Sequence, residues 1–434
     1  MKPRLLLFAI AVLLGPLAWA QINLPQLPPV VVPLPQLPRI RDGGALDGDA
    51  LFSSVRDRAR TLLRRYPDRV ERDPRGAAAV RSVIVAMAPE PAALQRAVTA
   101  GFQLLTDTTL QPWGERLVAL LAPRDLSTRR ALLQLRSADP AGSYDFDHLF
   151  VESATSVEAA AEAVVPVARA TASEPAVLIG MVDSGVDAHH PVFARRAPRL
   201  LGCEGRDLPS DHGTAVASLL VGDATPVFRG AAPGAGLVAV DVYCGGTEPG
   251  GRVRDIAAAL SQLTQNAVRV INLSFVGPPN VVLERVIRRV QGGGIVIVAA
   301  AGNDGPNAAP LYPAAYPGVV AVTAVDARNN VLLEACRGDH VTFAAPGADM
   351  TAAAAGGRYA AVRGTSYAAP LVAGLLARQL AGASTTTAAS AVQSLAASAN
   401  DRGRRGRDRS YGLGVVAMDL RTPPRDLTGK AAVN

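Results

Sequence analysis

The sequence predicts an α/β protein: a three-layer domain on a mainly parallel sheet, preceded by a small α+β unit of ferredoxin-like type. Three observations predict this. From residue 175 to about 421, apolar runs such as AVLIGMV (176–182) and GIVIVAA (294–300) alternate with helical patterns. Runs apolar at every position suit strands covered on both faces. Residues 82–151 follow another order, strand–helix–strand–strand–helix–strand, which is the split βαβ arrangement. The chain has 434 residues, 49% hydrophobic and only 19% charged, enough for two packed units with a large core.

Residues 1–20 read as a secretory signal. Lys2 and Arg4 open it, LLLFAIAVLLG is its apolar core, and Ala18-Trp19-Ala20 before Gln21 is an A-x-A cleavage site. The apolar run is shorter than the ~20 residues of a spanning helix. Export past a bacterial inner membrane is expected, to periplasm or medium, with no stable membrane anchor. Residues 21–44 are a Pro-rich linker, LPQLPPVVVPLPQLPR, of polyproline type.

Residues 45–152 form the N-terminal region, Arg-rich and in part helical over 45–75, compact over 82–151. SVIVAMA (82–88) reads as a strand and PAALQRAVTAG (91–101) as a helix stopped by Gly101. FQLLTDT (102–108) and ERLVALLA (115–122) read as strands. STRRALLQLRSAD (127–139) reads as a helix capped by Ser127, and SYDFDHLFV (143–151) as the last strand. Residues 153–174 are an Ala-rich junction, 175–425 the large domain, and 426–434 a short tail.

The formal charge is +7, and lysine occurs only at positions 2 and 430. The one dense basic cluster, RGRRGRDR (402–409), has no interleaved aromatics and reads as a solvated loop, not a nucleic-acid surface. A monomer is expected.

Four segments carry chemistry: VDSGVD (182–187), DHGTAVASLLVG (211–222), VAAAGNDG (298–305) and RGTSYAAPLVAG (363–374). Asp183 closes an apolar strand, where a buried carboxylate needs a partner. His212 opens a helical run and titrates near neutrality, as suits a group that takes and returns a proton. Ser366 follows Gly364 and precedes a helical stretch, so free N–H groups would face it. Each has a plainer reading: an N-cap serine, a helix-start histidine, an Asn-Gly-type turn at Asn303.

Together, and in the order Asp…His…Asn…Ser, the segments resemble the subtilisin-like serine peptidases (subtilases, family S8). The resemblance covers 175–421 strongly and 82–151 weakly. It implies that Asp183 orients His212, that His212 activates Ser366, and that the Asn303 side chain and the Ser366 N–H hold the oxyanion. It implies substrate-binding edges at Ser274, Phe275, Val276 and Gly277, at Ala300, Ala301 and Gly302, and at Gly245 in CGG (244–246), each pairing with an extended peptide. Walls of Gly and Ala without a carboxylate suggest broad or apolar P1 selection, which peptide-library cleavage confined to Arg or Lys would overturn. The N-terminal unit resembles the family's propeptide, a chaperone and transient inhibitor, and retention of this unit would keep the enzyme latent.

Two residues depart from the family pattern, Tyr367 for Met and Leu371 for His. Both are expected to act on packing, away from the reacting atoms. In DSGVDAHHP, Asp187 lies too far into the loop to orient His212, and His190-Pro191 reads as structural. The stretch GDATPVFRG (222–230) leaves Asp223 and Asp241 as isolated carboxylates, so no metal and no cofactor are expected. Of three cysteines, Cys203 and Cys244 bracket the His212 segment and form the first pair to consider, with three buried thiols as the alternative. The partners implied are protein or peptide substrates and the chain's own N-terminal unit. The rival reading is a non-catalytic binding protein on the same scaffold.

Overall fold

The computed structural model describes residues 54–153, the backbone of 156–159, and residues 177–246, 250–382 and 386–424. The expected signal (1–20), linker (21–44), tail (426–434) and most of the junction lie outside them. The N-terminal region contains α1 (Val55–Arg65), β1 (Val70–Arg72), β2 (Ala78–Met87), α2 (Pro91–Thr99), β3 (Gln103–Leu110), β4 (Glu115–Leu121), α3 (Thr128–Ala138) and β5 (Ser143–Glu152). Then follow β6 (Ser156–Ala159), β7 (Leu178–Asp183), β8 (Arg199–Gly202), α4 (Asp211–Val221), β9 (Asp223–Ala224), β10 (Phe228–Arg229), β11 (Gly236–Asp241) and β12 (Gly251–Arg252). The remainder is α5 (Val253–Gln265), β13 (Val270–Leu273), β14 (Phe275–Val276), α6 (Val281–Gly292), β15 (Val296–Ala300), β16 (Val320–Val325), β17 (Val341–Pro346), β18 (Met350–Ala354), β19 (Arg358–Arg363), α7 (Thr365–Ala381) and α8 (Ala388–Ala397).

The large domain is built on a parallel sheet in the order β17-β16-β15-β13-β7-β11-β8. Its strands are apolar because both faces are covered. Ile179, Val298 and Val322 face a core with α4 and α7, while Val182, Ile271 and Ile297 face one with α5 and α6. β7 lies between β11 and β13, where the winding direction reverses. Ligand sites of open α/β sheets form at the carboxyl ends of strands at such points. Asp183 is the last residue of β7.

The N-terminal unit is an antiparallel sheet, β5-β2-β4-β3. Alternation along β2 divides its side chains between two cores. Ile84 and Ala86 pack with Leu94 of α2 and Leu132 and Leu135 of α3, whereas Val83, Val85 and Met87 pack with Ile256, Leu260, Leu283 and Val286 of α5 and α6. The second face of this sheet is thus buried against the large domain. Charged groups frame that contact: Arg254 lies 3.0 Å from buried Asp147, Arg285 pairs with Glu115, and Asp145 accepts the N–H of Val281 at the start of α6.

Two features differ from the sequence reading. β2 begins at Ala78, and β1 pairs with its start, so the unit extends N-terminal to residue 82. The Ala-rich junction contains β6, which pairs antiparallel with β19, Ser156 opposite Arg363 and Ala159 opposite Ala360. Composition there favours no strand, and the free edge of β19 supplies the pairing that propensity does not. Among the described residues no helix is long and apolar enough to cross a membrane.

Candidate active site

The site lies at the carboxyl ends of β7, β13 and β15 and the start of α4 and α7. Asp183 Oδ1 lies 2.6 Å from His212 Nδ1 and also accepts the N–H of Ser184 at 2.8 Å. His212 sits in the first turn of α4, which Ser210 caps. Gly213 permits this closeness, since a Cβ there would stand 2.2 Å from the Ser184 carbonyl oxygen. Asp183 and His212 are both buried, and His212 Nε2 makes no hydrogen bond.

Ser366 stands in the first turn of α7, after Gly364 at φ 137°. Its Oγ donates to the Ser274 carbonyl at 3.0 Å, not to His212. Pro370 lies inside α7, four residues on, and has no N–H for the Ser366 carbonyl. Ser274 Oγ donates to that carbonyl instead, at 2.9 Å, and itself accepts from Asn272 Nδ2 at 2.9 Å. The backbone break forced by Pro370 is therefore filled by a polar chain that ties α7 to the end of β13.

Asn303 follows β15 in the loop after Ala300, Ala301 and Gly302. Its Oδ1 accepts the Thr365 N–H at 3.2 Å, and Thr365 Oγ1 accepts the Gly302 N–H at 3.1 Å. These bonds aim the Asn303 amide N–H into the cleft, where it meets the Ser153 carbonyl oxygen. Thr365 and Asn272 carry no signal of their own in the sequence, because neither stands apart from its motif or its largely apolar strand.

The cleft is filled by the end of β5. Glu152 and Val151 pair antiparallel with Phe275 and Val276, and the Ser153 N–H donates to the Ser274 carbonyl at 3.1 Å. On the other side Phe150 pairs with Gly251 and Leu149 with Arg252. The fully buried Phe150 ring meets Phe275 edge-on at 5.7 Å, and a Cβ on Gly277 would reach within 2.6 Å of it. The second edge that β5 meets is Gly251–Arg252, not the expected Gly245. Gly245 lies in a turn whose N–H groups, at Tyr243 and Cys244, Asp241 accepts at 2.8 and 2.9 Å. Cys244 of that turn is bonded to Cys203, and Cys336 is a buried free thiol.

Glu152 brings a second carboxylate to the histidine, its Oε1 3.8 Å from Nδ1. Burial disfavours the charged ring, but the Asp183 and Glu152 carboxylates and the Asp183 hydrogen bond outweigh it, and the His212 pKa is pulled up to about 9. Glu152, Asp183 and His212 also lie close enough to hold an ion. The short Asp183–His212 hydrogen bond accounts for two of them without a metal. Tyr367 is nearer the chemistry than its motif position suggested: its buried ring stands 5.6 Å from the imidazole. Asp187 and His190 serve the adjoining loops, Asp187 accepting the Gly356 N–H and His190 Nε2 meeting the Arg358 carbonyl oxygen. Asp223 closes the β9–β10 turn through Thr225, with Arg195 3.5 Å away.

A sequence model of the subtilase family matches residues 174–414. Subtilisin E of Bacillus subtilis (strain 168) is 32% identical over 248 residues, 55% of this chain and 64% of that protein, so this chain spans under two thirds of its length. Subtilisin DY of Bacillus licheniformis is 31% identical over 255 residues, 56% of this chain and 89% of that protein. Among solved structures, fervidolysin from Fervidobacterium pennivorans, a keratinolytic enzyme related to subtilisin, aligns with TM-score 0.65 at 19% identity, over 81% of this chain and 61% of that one. That last likeness is one of fold, and it agrees with the layered parallel sheet described above. By family model and sequence identity alike, the chain belongs to the subtilase family.

Proposed function

We propose that the chain is an exported serine endopeptidase made as a precursor, with residues 45–153 as its propeptide and an active form that is a monomer. Ser366 Oγ attacks the peptide carbonyl while His212 takes its proton. The Asn303 amide and the Ser366 N–H stabilise the oxyanion. His212 then protonates the departing amine as the C–N bond breaks, and water, activated by the same histidine, releases the acyl group from Ser366. Asp183 holds the imidazole tautomer and stabilises the imidazolium. Selection at P1 is broad or apolar, in keeping with the buried Ala300, Ala301 and Gly302, which bring no carboxylate to this end of the cleft.

One observation carries the reading. The chain's own Ser153 is laid in the cleft as a substrate, its carbonyl on Asn303 and its N–H on Ser274. The residues after it return to the domain at β19. The bond so presented is Ser153–Ala154, which we assign as the maturation bond. The Ser366 hydroxyl must turn from the Ser274 carbonyl to His212 Nε2 for attack, and a doubly protonated ring gives it no reason to turn.

Labelling of the secreted protein with a fluorophosphonate, followed by mass spectrometry, tests this. The label is expected on Ser366 and a new N-terminus at Ala154. A folded, processed protein that takes no label would defeat the peptidase reading, and a different N-terminus would defeat the assigned bond.

The Glu152 contact gives the first cut a pH dependence. A histidine raised from its ordinary value contributes stability to the docked arrangement that is complete below about 6.5 and is lost as pH rises through about 9. The neutral base needed for attack forms over the same interval, so processing is expected to accelerate toward alkaline pH. Glu152→Gln removes one of the two carboxylates and should move the rising limb down by about one pH unit. Gel analysis of precursor conversion from pH 6 to 10 reads this, and coincident profiles would show that Glu152 does not act on the base.

A further inference from the structure

We propose that helix α1 is a clasp on the substrate cleft, anchored on the Asp304 carboxylate, that holds the Val151–Ser153 strand in place before and after the cut. The proposal rests on residues 45–153 acting as a propeptide, and it concerns a segment outside the ferredoxin-like fold.

The helix has two ends with different duties. Ala59, Leu62, Leu63 and Tyr66 pack with Val70, Ala78 and Leu149 and fasten α1 to the N-terminal unit. Ser54 and Asp57 form a capping box at its start. That start leans over the cleft. The Val55 N–H lies 2.9 and 2.8 Å from the two oxygens of Asp304, the residue after Asn303. A carboxylate at a helix N-terminus meets unpaired N–H groups and the positive end of the helix dipole. The Val55 side chain packs with Val276, Leu311 and Cys336, where Val151 of the docked strand also packs.

Arg58, one turn on, completes the contact. Its Nη1 donates to the Glu152 carbonyl oxygen at 2.6 Å, and its Nη2 lies 3.6 Å from Asp304 Oδ1. The guanidinium thus joins the large domain to the peptide in its cleft, from a helix nearly a hundred residues upstream of that peptide. The side chains of Arg58 and Asp304 retain 20% and 9% of their exposure. At such depth each charge depends on the other, since removing one partner leaves a buried charge uncompensated. The Asp304 carboxylate has no hydrogen bond from its own domain among the described residues, and its one backbone bond, N–H to Cys336 Sγ, orients the loop instead. Both of its carboxylate partners belong to α1.

Hydrogen exchange on the full chain carrying Ser366→Ala tests the clasp without relying on activity. Arg58→Ala is expected to speed amide exchange in residues 55–65 by about ten-fold, and Asp304→Ala by at least as much. The double variant should exchange no faster than Asp304→Ala alone, while exchange in α3 stays at the parent rate, showing that the unit remains folded. Unchanged α1 exchange in Arg58→Ala, or effects that add in the double variant, would overturn the clasp. In the chain that retains Ser366, the lag between the cut and full activity on a short peptide should shorten about ten-fold with Arg58→Ala. The final activity should match the parent's, because Arg58 departs with the N-terminal region. If no chain ever cleaves a peptide, the peptidase reading fails, and the exchange result still decides the clasp.

Discussion

Ser366→Ala is expected to lower kcat by about 10⁶-fold and to leave the full-length precursor uncut, a magnitude known from subtilisin and carried over here by family membership. The reason is geometric. The Ser366 hydroxyl stands at the start of α7, where its own bond to the Ser274 carbonyl and the Ser274 tether to its backbone hold it in place. His212→Ala should cost about as much, and the double variant no more than either, because nucleophile and base act as one unit. Steady-state rates on a peptide ending in Phe-Val-Glu-Ser before the cut would measure this. Losses that multiply in the double variant would show that the two side chains work separately.

The second large effect is expected at Asp183. Asp183→Asn keeps the shape of the side chain but replaces an acceptor with an amide that can turn its N–H toward His212 Nδ1. The ring then holds its proton on the wrong nitrogen, with Nε2 no longer free to accept from Ser366. A loss in kcat of about 10⁴-fold is expected, with KM little changed. The Ser184 N–H, which shares Asp183 Oδ1 with the ring, loses that acceptor to the amide N–H, a local cost of about 1 kcal/mol that leaves the surrounding packing in place. Thermal unfolding should therefore move little, which separates loss of chemistry from loss of fold. A variant within ten-fold of the parent would mean that Asp183 does not set the tautomer.

Most of the fold was legible because it rests on local signals. β15 is apolar at every position and β7 up to Asp183, and the six elements between residues 78 and 152 differ from their expected limits by a few residues, because Gly101, the Ser127 cap and the apolar runs of the strands mark them. The four segments that the fold gathers at the candidate site were legible for the same reason. What stayed hidden depends on register across long separations. CGG at 244–246 carries the expected glycines, yet Gly251–Arg252 meets β5, and only the docking of a strand a hundred residues away decides between them. β6 could not be read from an alanine run, since its partner edge supplies the order. Glu152 and Asp304 looked like ordinary charges in sequence. Their importance comes from His212 and Arg58, which the fold brings to them.

The two strands on either side of residues 153–155 have a further consequence. β5 is held by β14 and β12 through main-chain bonds, and β6 is held by β19 in the same way. Such bonds ignore side-chain identity, so the chain is gripped by its backbone at both ends of a short span. On the reading proposed above, the first cut is then placed as by a ruler. The number of residues between the grips, more than the residues themselves, chooses the bond, and the precursor's junction is free to vary in sequence so long as it keeps its length.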